Sequence, residues 1–413
     1  MADLRRAWIA ITGDELLHGD LIDANGPYLA ALLNRCGIEV TRFVGVGDDL
    51  CALVSLIRDS MGKTELLVMT GGLGSTADDL TRPAAAAALG LNLAVDDEAH
   101  RQVEAFWQSL DRDPAGQVFP EASLPQGATL IPNPKGLAPG FVCEHEDWRM
   151  VAFPGVPAEL QEMAPRYFEP LADSARRMWQ AEVMVSGISE SATAEILGDL
   201  LDRGREPLIG IAAKEGFLRL TLRARGLGAA DKIAVDVAEI ESRFAEKVVS
   251  AVGHSQVEII SKALRDRGWT LALAESLTGG LLGHQLTEIP GSSEFLIAAL
   301  VTYADRAKTQ VLGVSAALIA EHGVVSQPVA EAMAQGARRT QACDWGLATT
   351  GIAGPGGALP GQAVGTAWVA VADPMGRVYG ECRVHPGTRS QVKDRVAVHA
   401  FDLMRRVLLN LEA

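Results

Sequence analysis

Residues 65–82 read ELLVMTGGLGSTADDLTR, an apolar run that breaks at Gly71-Gly72 and resumes, past Gly74, Ser75 and Thr76, as the polar start of a helix. An apolar strand that stops at paired glycines and turns straight into a helix points to a parallel βαβ unit, whose ligands gather at the carboxyl ends of the strands. The chain before it repeats the pattern. WIAITG (8–13) and IEVTRFV (38–44) read as strands, and DDLCALVSLIRDSMG (48–62) as a helix. NGPYLAALLNRCG (25–37) reads as a helix with Asn25 as its cap, Pro27 in the first turn and Gly37 as its stop.

Downstream the pattern changes twice. From about 181 to 250 a strand, a helix, the alternating FLRLTLRAR (217–225) and the amphipathic ADKIAVDVAEIESRFAEKV (230–248) suggest a small α+β module. VVSAVGHSQ (248–256) reads as a joint. A third part holds the strands TLALA (270–274), FLIAALVTY (295–303), WGLATTG (345–351) and GTAWVAVA (365–372), and a closing helix from about Ser390 to Leu411. The expected division is therefore 1–172, 173–253 and 254–413, an α/β chain of three domains, in keeping with its 413 residues.

Composition narrows the function classes. With 48% apolar and 22% charged residues, large-scale disorder is excluded. Asp and Glu outnumber Lys and Arg by 52 to 37, and a net charge of -15 repels a phosphate backbone, so no direct nucleic-acid binding is expected. A small anion in a pocket is not excluded. The five cysteines have no metal or CxxC spacing and read as buried thiols in a reducing compartment. The apolar stretch after Arg5-Arg6 is too short for a signal segment, and FLIAALVTY is long enough for a buried strand and too short for a membrane span. The expectation is a soluble, cytoplasmic protein with no membrane contact.

Two constellations carry chemistry. In the first, Gly71, Gly72 and Gly74 let the backbone approach a phosphate, and Asp78 and Asp79 fall in the first helical turn, where carboxylates can hold Mg²⁺ against the same phosphates. The alternative is a tight turn whose aspartates complement the helix dipole. Together with Gly13, Asp14, Glu15, Asp23 and Asn25, and with NPKGLAPGF (133–141) and FPGVP (153–157), this run resembles the molybdopterin-binding fold family, specifically the N-terminal domain of the CinA (competence-damage-inducible) proteins. The resemblance implies a three-layer α/β domain that cleaves ADP-ribose or an NAD-like dinucleotide with a divalent metal, Mg²⁺ or similar. Asp79 would be catalytic and a metal ligand, with Asp78 and Glu15 as further ligands. Gly71, Gly72, Gly74, Thr76 and Asn25 would bind substrate. Ser75 stands where the family commonly has Pro, and His18, in place of an apolar residue, reads as exposed.

The second constellation is ALAESLTGG (272–280). Ser276 is either a nucleophile or, like Thr278, a cap for the helix GGLLGHQLTEI (279–289). No GxSxG elbow is present and no histidine lies in a motif that nominates it as a base. Lys308 can serve as a base if burial lowers its pKa, and LATTGIAGPGG (347–357) offers a glycine-rich turn for phosphate or oxyanion contacts. Tyr303 reads equally as a core aromatic, and Arg389 as a solvated helix start.

AESLTGGLL (274–282), IPGSS (289–293), VTYADRAK (301–308), LGVSAALIAEHGVVS (312–326), TGIAGPGG (350–357) and VGTAW (364–368) together resemble the CinA C-terminal domain, similar to the stand-alone nicotinamide mononucleotide (NMN) amidohydrolases. The resemblance implies metal-free hydrolysis of the NMN carboxamide. Ser276 would be the nucleophile, Lys308 the base and Tyr303 an orienting group. Thr278, Gly279, Thr350 and Gly351 would line the site, and Arg389 would meet the 5′-phosphate. It also implies a homodimer, with the middle module, opening at SGISES (186–191), as a spacer or dimerisation element. Leu277 stands where the family usually has Cys, which would remove a rival nucleophile. Ala304, Asp305 and Arg306 replace Ser-Asn-Glu, so Asp305 would raise the pKa of Lys308.

Overall fold

The computed structural model describes residues 4–112, 119–214, 217–250 and 255–409. The chain divides into two compact units, Met1–Trp179 with Ala224–Ala230, and Gln180–Arg223 with Asp231–Ala413.

The first unit is built on β1 (Arg6–Thr12), β2 (Glu39–Val46) and β3 (Leu66–Thr70). A short antiparallel pair, β4 (Leu93–Val95) with β5 (Ser123–Pro125), stands apart from the main sheet. The main sheet is completed by β6 (Thr129–Ile131), β7 (Gly140–His145) and β8 (Trp148–Phe153), in the order β2-β1-β3-β8-β7-β6. The first four are mutually parallel, as the βαβ pattern requires, whereas β6 and β7 run antiparallel to their neighbours. Strands buried on both faces need apolar residues at odd and even positions alike. Trp8 and Ala10 of β1 pack with Leu67 and Met69 against Leu53 and Ile57 of the helix Leu50–Ser60. Ala7, Ile9 and Ile11 pack the other way, with Leu66 and Val68, against Leu29 and Leu33 of the helix Asn25–Arg35. Each fully buried Leu or Ile contributes about 1.5–3 kcal/mol, so the helix–sheet–helix layering follows from this double alternation.

The helix Leu50–Ser60 starts as its sequence asks, with the Asp49 side chain accepting from Ala52 N at 2.7 Å. The helix Asn25–Arg35 differs from expectation, because Ala24 is the cap and Asn25 is the first helical residue. The Asn25 side chain is drawn instead into the cleft described below.

β9 (Met178–Val185), β10 (Leu208–Lys214), β11 (Phe217–Arg225) and β12 (Val248–Ser250), which but for residues 178–179 and 224–225 belong to the second unit, form a sheet in the order β10-β11-β9-β12. The amphipathic helix is Ala229–Phe244, shorter than expected, and part of the expected joint is strand β12. The remainder of that joint, 251–254, lies outside the described residues.

A second sheet holds β13 (Leu271–Glu275), β14 (Leu296–Val301), β15 (Trp345–Gly351), β16 (Thr366–Ala372) and β17 (Val378–Val384), ordered β14-β13-β15-β16-β17. β13 is central and parallel to both neighbours, and β16 and β17 add antiparallel edges. FLIAALVTY is not a buried strand: β14 lies at the sheet edge, and Ile297 and Val301 are exposed. The closing helix is Arg389–Leu408, capped by Thr388, whose hydroxyl accepts from Gln391 N while the Gln391 side chain accepts from Thr388 N. Its expected end near Leu411 lies outside the described residues. Cys36, Cys143 and Cys343 are buried as expected, but Cys51 and Cys382 are exposed. Among the described residues no helix is long and apolar enough to cross a membrane.

Candidate active site

Ser276 follows the last residue of β13, and its N–H donates to Thr349 O on β15 at 3.0 Å. The parallel register sets Glu275 beside Val301, and Thr302 N donates to Glu275 O at 2.8 Å, so the chain leaving β14 runs alongside Ser276. Lys308, in the first turns of the helix Asp305–Leu312, reaches back from there. Its Nζ lies 3.2 Å from Ser276 Oγ, 3.0 Å from Thr302 O and 3.4 Å from Tyr303 O.

Lys308 is 1% exposed. Burial lowers its pKa, and Asp305, whose carboxylate lies 3.8 Å away, raises it. Burial is the larger cause, because the Asp305 side chain is mostly exposed and screened by water. The net shift is downward, opposite to the direction that Asp305 alone would give. A neutral amine has two N–H donors and one lone pair; the two carbonyls accept from the N–H groups, and the serine hydroxyl can donate to the lone pair.

Neither Ser276 nor Thr278 caps the following helix, Leu281–Thr287. Its capping residue is Gly280, and the donors at its start go to Glu275. One Glu275 carboxylate oxygen accepts from Gly280 N at 2.9 Å and Leu282 N at 3.2 Å, and the other accepts from Gly283 N at 2.9 Å. Glu275 is fully buried. It therefore fixes the Ser276–Gly280 turn from beneath, and the sequence reading missed it. Thr278 is held by a hydroxyl contact of 2.8 Å to Thr349. Leu277 packs into the core with Leu273 and Leu282. A thiol in its place would be enclosed there, so the change from the family's Cys alters core packing and does not remove a rival nucleophile.

Tyr303 is 56% exposed, not a core aromatic, and its hydroxyl accepts from Arg389 Nη2 at 2.6 Å. The other Arg389 terminal nitrogen donates to Gly354 O at 2.8 Å. Arg389 is thus tied to the site and is not a freely solvated helix start. Gly279 has φ +62°, and a Cβ there would stand 3.7 Å from Lys393 Nζ. Thr350 and Gly351 serve the scaffold. Thr350 Oγ1 donates to Val324 O at 2.8 Å, and a Cβ at Gly351 would strike Thr366 O at 2.6 Å.

In the first unit, Gly71, Gly72, Gly74, Glu15, Asn25, Asp78 and Asp79 line one cleft of about 620 Å³ at the ends of β1, β3 and β8. Arg82, missed in the sequence reading, braces its loop from the buried side by donating to Leu73 O at 2.6 Å and to Gly74 O. Asn25 Nδ2 donates to Thr70 Oγ1 at 3.1 Å and Gly155 O at 2.7 Å, while Asn25 Oδ1 and Thr12 Oγ1 are buried with no partner among the described residues. Two unmet polar atoms lining a cleft are what a polar ligand would complete.

Asp79 is a positioning group. Its Oδ1 accepts from Gly74 N at 2.7 Å, and its Oδ2 from Thr76 N at 2.8 Å and Thr76 Oγ1 at 2.6 Å. The hydroxyl of Thr76 is thereby spent on the loop. A Cβ at Gly74 would meet Asp79 Oδ2 at 2.5 Å, which explains the glycine. Asp78 and Glu15 are exposed, as is His18. Among the described residues no three His, Cys, Asp or Glu side chains are grouped to hold one metal ion. With both Asp79 oxygens engaged, Asp79, Asp78 and Glu15 do not fit a resident three-carboxylate metal site. Asp48 adds to an acidic rim: burial, then the charges of Asp14, Glu15 and Asp78, push its carboxyl up, with a hydrogen bond from Asp14 N opposing.

Comparison with known proteins accounts for all three parts of the chain. The family described as a probable molybdopterin binding domain matches residues 8–173, the damage-inducible protein CinA KH domain matches 180–250, and the CinA C-terminal domain matches 254–408. A CinA-like protein of Citrifermentans bemidjiense is 37% identical over 98% of this chain and 98% of its own. One of Frankia casuarinae is 38% identical over 98% of this chain and 97% of its own. A crystal structure of a competence-damaged protein (CinA) superfamily member from Klebsiella pneumoniae, at 30% identity, covers 38% of this chain and 99% of that one, with a TM-score of 0.36. By its full-length similarity to these relatives, the chain belongs to the CinA family.

Proposed function

We propose that the second unit hydrolyses the carboxamide of nicotinamide mononucleotide to nicotinate mononucleotide and ammonia. The observation that carries this reading is the buried Lys308 amine 3.2 Å from Ser276 Oγ, with two carbonyls positioned for its two N–H groups. In that state its lone pair accepts the Ser276 hydroxyl proton as Oγ attacks the amide carbon. The Leu277 and Thr278 N–H groups, which have no acceptor among the described residues, are free to receive the developing oxyanion. Lys308 then returns the proton to the leaving nitrogen, and the C–N bond breaks to release ammonia and leave an ester on Ser276. Water attacks the ester, passing a proton to Lys308, which restores the serine hydroxyl. Arg389, released from Tyr303, meets the 5′-phosphate.

The test is ammonia release from nicotinamide mononucleotide by the protein and by Ser276→Ala and Lys308→Ala. Loss of activity by orders of magnitude in both variants is expected. An inert, folded parent protein would overturn the assignment.

A second activity is favoured by the unmet Thr12 Oγ1 and Asn25 Oδ1 in the first unit's cleft. We infer that this cleft takes ADP-ribose or a related dinucleotide and cleaves its pyrophosphate. The acidic rim repels a bare pyrophosphate, so the substrate is the cation complex of the dinucleotide, with the divalent ion carried in by the phosphates. Removal of divalent ions should abolish turnover of ADP-ribose, and Asn25→Ala should weaken its binding. Unchanged turnover in both cases would refute the reading.

A further inference from the structure

A cavity of about 740 Å³ within the second unit lies between the turn 186–189 of the middle module and the segment joining β17 to the helix Arg389–Leu408. It shares no lining residue with the Ser276 site. Arg383, His385, Arg395 and His399 line it, against a single carboxylate, Asp402.

The acids around it are already engaged. Asp402 accepts from Arg405 at 3.1 Å and from Arg406 at 3.2 Å. Glu381, behind the cavity, accepts from Arg383 at 3.0 Å, from His399 Nε2 at 3.0 Å and from Arg406. Four guanidiniums, those of Arg383, Arg395, Arg405 and Arg406, thus face two carboxylates. The Arg395 guanidinium donates only to the Pro386 carbonyl and pairs with no carboxylate among the described residues. A local excess of positive charge stands out in a chain of net charge -15.

The histidines report the same field. A carboxylate only accepts, so His399 Nε2–H donates to Glu381, leaving Nδ1 to accept from His385 Nε2–H at 3.4 Å. Burial, followed by the charges of His399, Arg383 and Arg395, pushes His385 down to about 4. The His399 hydrogen bond contributes to holding Glu381 down, at about 2, so that acid stays ionised and spent on its partners.

We propose that this cavity is a second anion site, which takes a phosphate group between Arg383, Arg395 and the Ser186–Ser189 turn. Guanidiniums suit phosphate oxygens through paired N–H donors, and a bound phosphate anion would offset the Arg383 and Arg395 charges that add to burial in lowering His385. Binding and His385 protonation are therefore linked, each favouring the other.

The test follows the His385 imidazole by NMR titration, assigned with His385→Gln, with and without inorganic phosphate. Phosphate should raise the His385 pKa by roughly one unit or more in the parent protein and in Arg389→Gln, which is altered only at the Ser276 site. The response should vanish in Arg395→Gln. It should also vanish in Ser189→Asp, which keeps a capping side chain for the helix Glu190–Leu197 and places a like charge in the cavity. Adenosine monophosphate in place of phosphate separates the sources: a response at tenfold lower concentration identifies a phosphate monoester as the ligand, and an equal or weaker one identifies free phosphate. No shift in the parent protein at tens of millimolar phosphate, or a shift retained in Arg395→Gln and Ser189→Asp, would overturn the proposal. Turnover of nicotinamide mononucleotide does not enter the readout.

Discussion

Replacing Glu275 by Gln removes one charge and keeps the shape. The two oxygens of Glu275 accept three N–H donors from the start of the helix Leu281–Thr287, and the side chain has no exposure to water. Gln can keep its carbonyl on Gly280 and Leu282, but it must then turn an NH₂ toward Gly283 N–H. The loss is one charge-assisted hydrogen bond, about 1.5–3 kcal/mol, together with a buried donor left facing a donor, about 1–3 kcal/mol. The sum, about 2.5–6 kcal/mol, corresponds to a fall in Tm on the order of 10 °C or more for a unit of this size. The turn that carries Ser276 relaxes with the helix, and a displacement of about 1 Å at the nucleophile costs on the order of 100-fold in kcat. Thermal unfolding and ammonia release on the same preparation give both numbers. A variant that melts within about 2 °C of the parent and turns over within about two-fold would refute the assignment of Glu275 as the support of the site.

Asp305→Asn removes the neighbouring charge that raises Lys308. The active base is the neutral amine, so kcat/KM climbs as pH rises through the Lys308 pKa and is flat above it; the acid limb in Asp305→Asn should lie at lower pH than in the parent protein. A limb moved to higher pH would contradict the electrostatics. Arg389→Gln should raise KM for nicotinamide mononucleotide by about 10–100-fold with little change in kcat, measured from initial rates. Leu277→Cys in a Ser276→Ala background should stay inactive, because position 277 faces the core; thiol-dependent turnover would show otherwise. Asp79→Asn should loosen the Gly74–Thr76 loop and lower turnover of ADP-ribose, while ammonia release by the second unit stays unchanged.

Periodicity and turn chemistry made the first half of the first unit legible, because β1 and β3 are apolar at odd and even positions alike, whereas β4 to β8 were not read from the sequence. The strand β17 was missed because VYGECRV carries Gly380, Glu381 and Arg383 among its apolar residues. Those charges are matched by Arg406 and His399, distant in sequence, and no local pattern announces that. The residues of the Ser-Lys site were legible by resemblance, but their meeting was not. It depends on the pairing of β13 with β14, which sets the chain after Val301 beside Ser276. Glu275 carried no signal in the sequence, because its partners are backbone N–H groups. Asp79 misled in the other direction, since a carboxylate in a glycine-rich loop reads as a ligand until its acceptor sites are seen to be occupied by Gly74 and Thr76.

In the proposed reaction Ser276 forms a covalent ester with Lys308 as its base. Acid-quenching the protein during turnover of nicotinamide mononucleotide and mapping its peptides by mass spectrometry tests this most directly. The peptide containing Ser276 should carry an adduct of one nicotinate mononucleotide less one water, absent from Ser276→Ala and strongly reduced in Lys308→Ala. Undiminished ammonia release by Ser276→Ala, with no adduct on the parent protein, would contradict it.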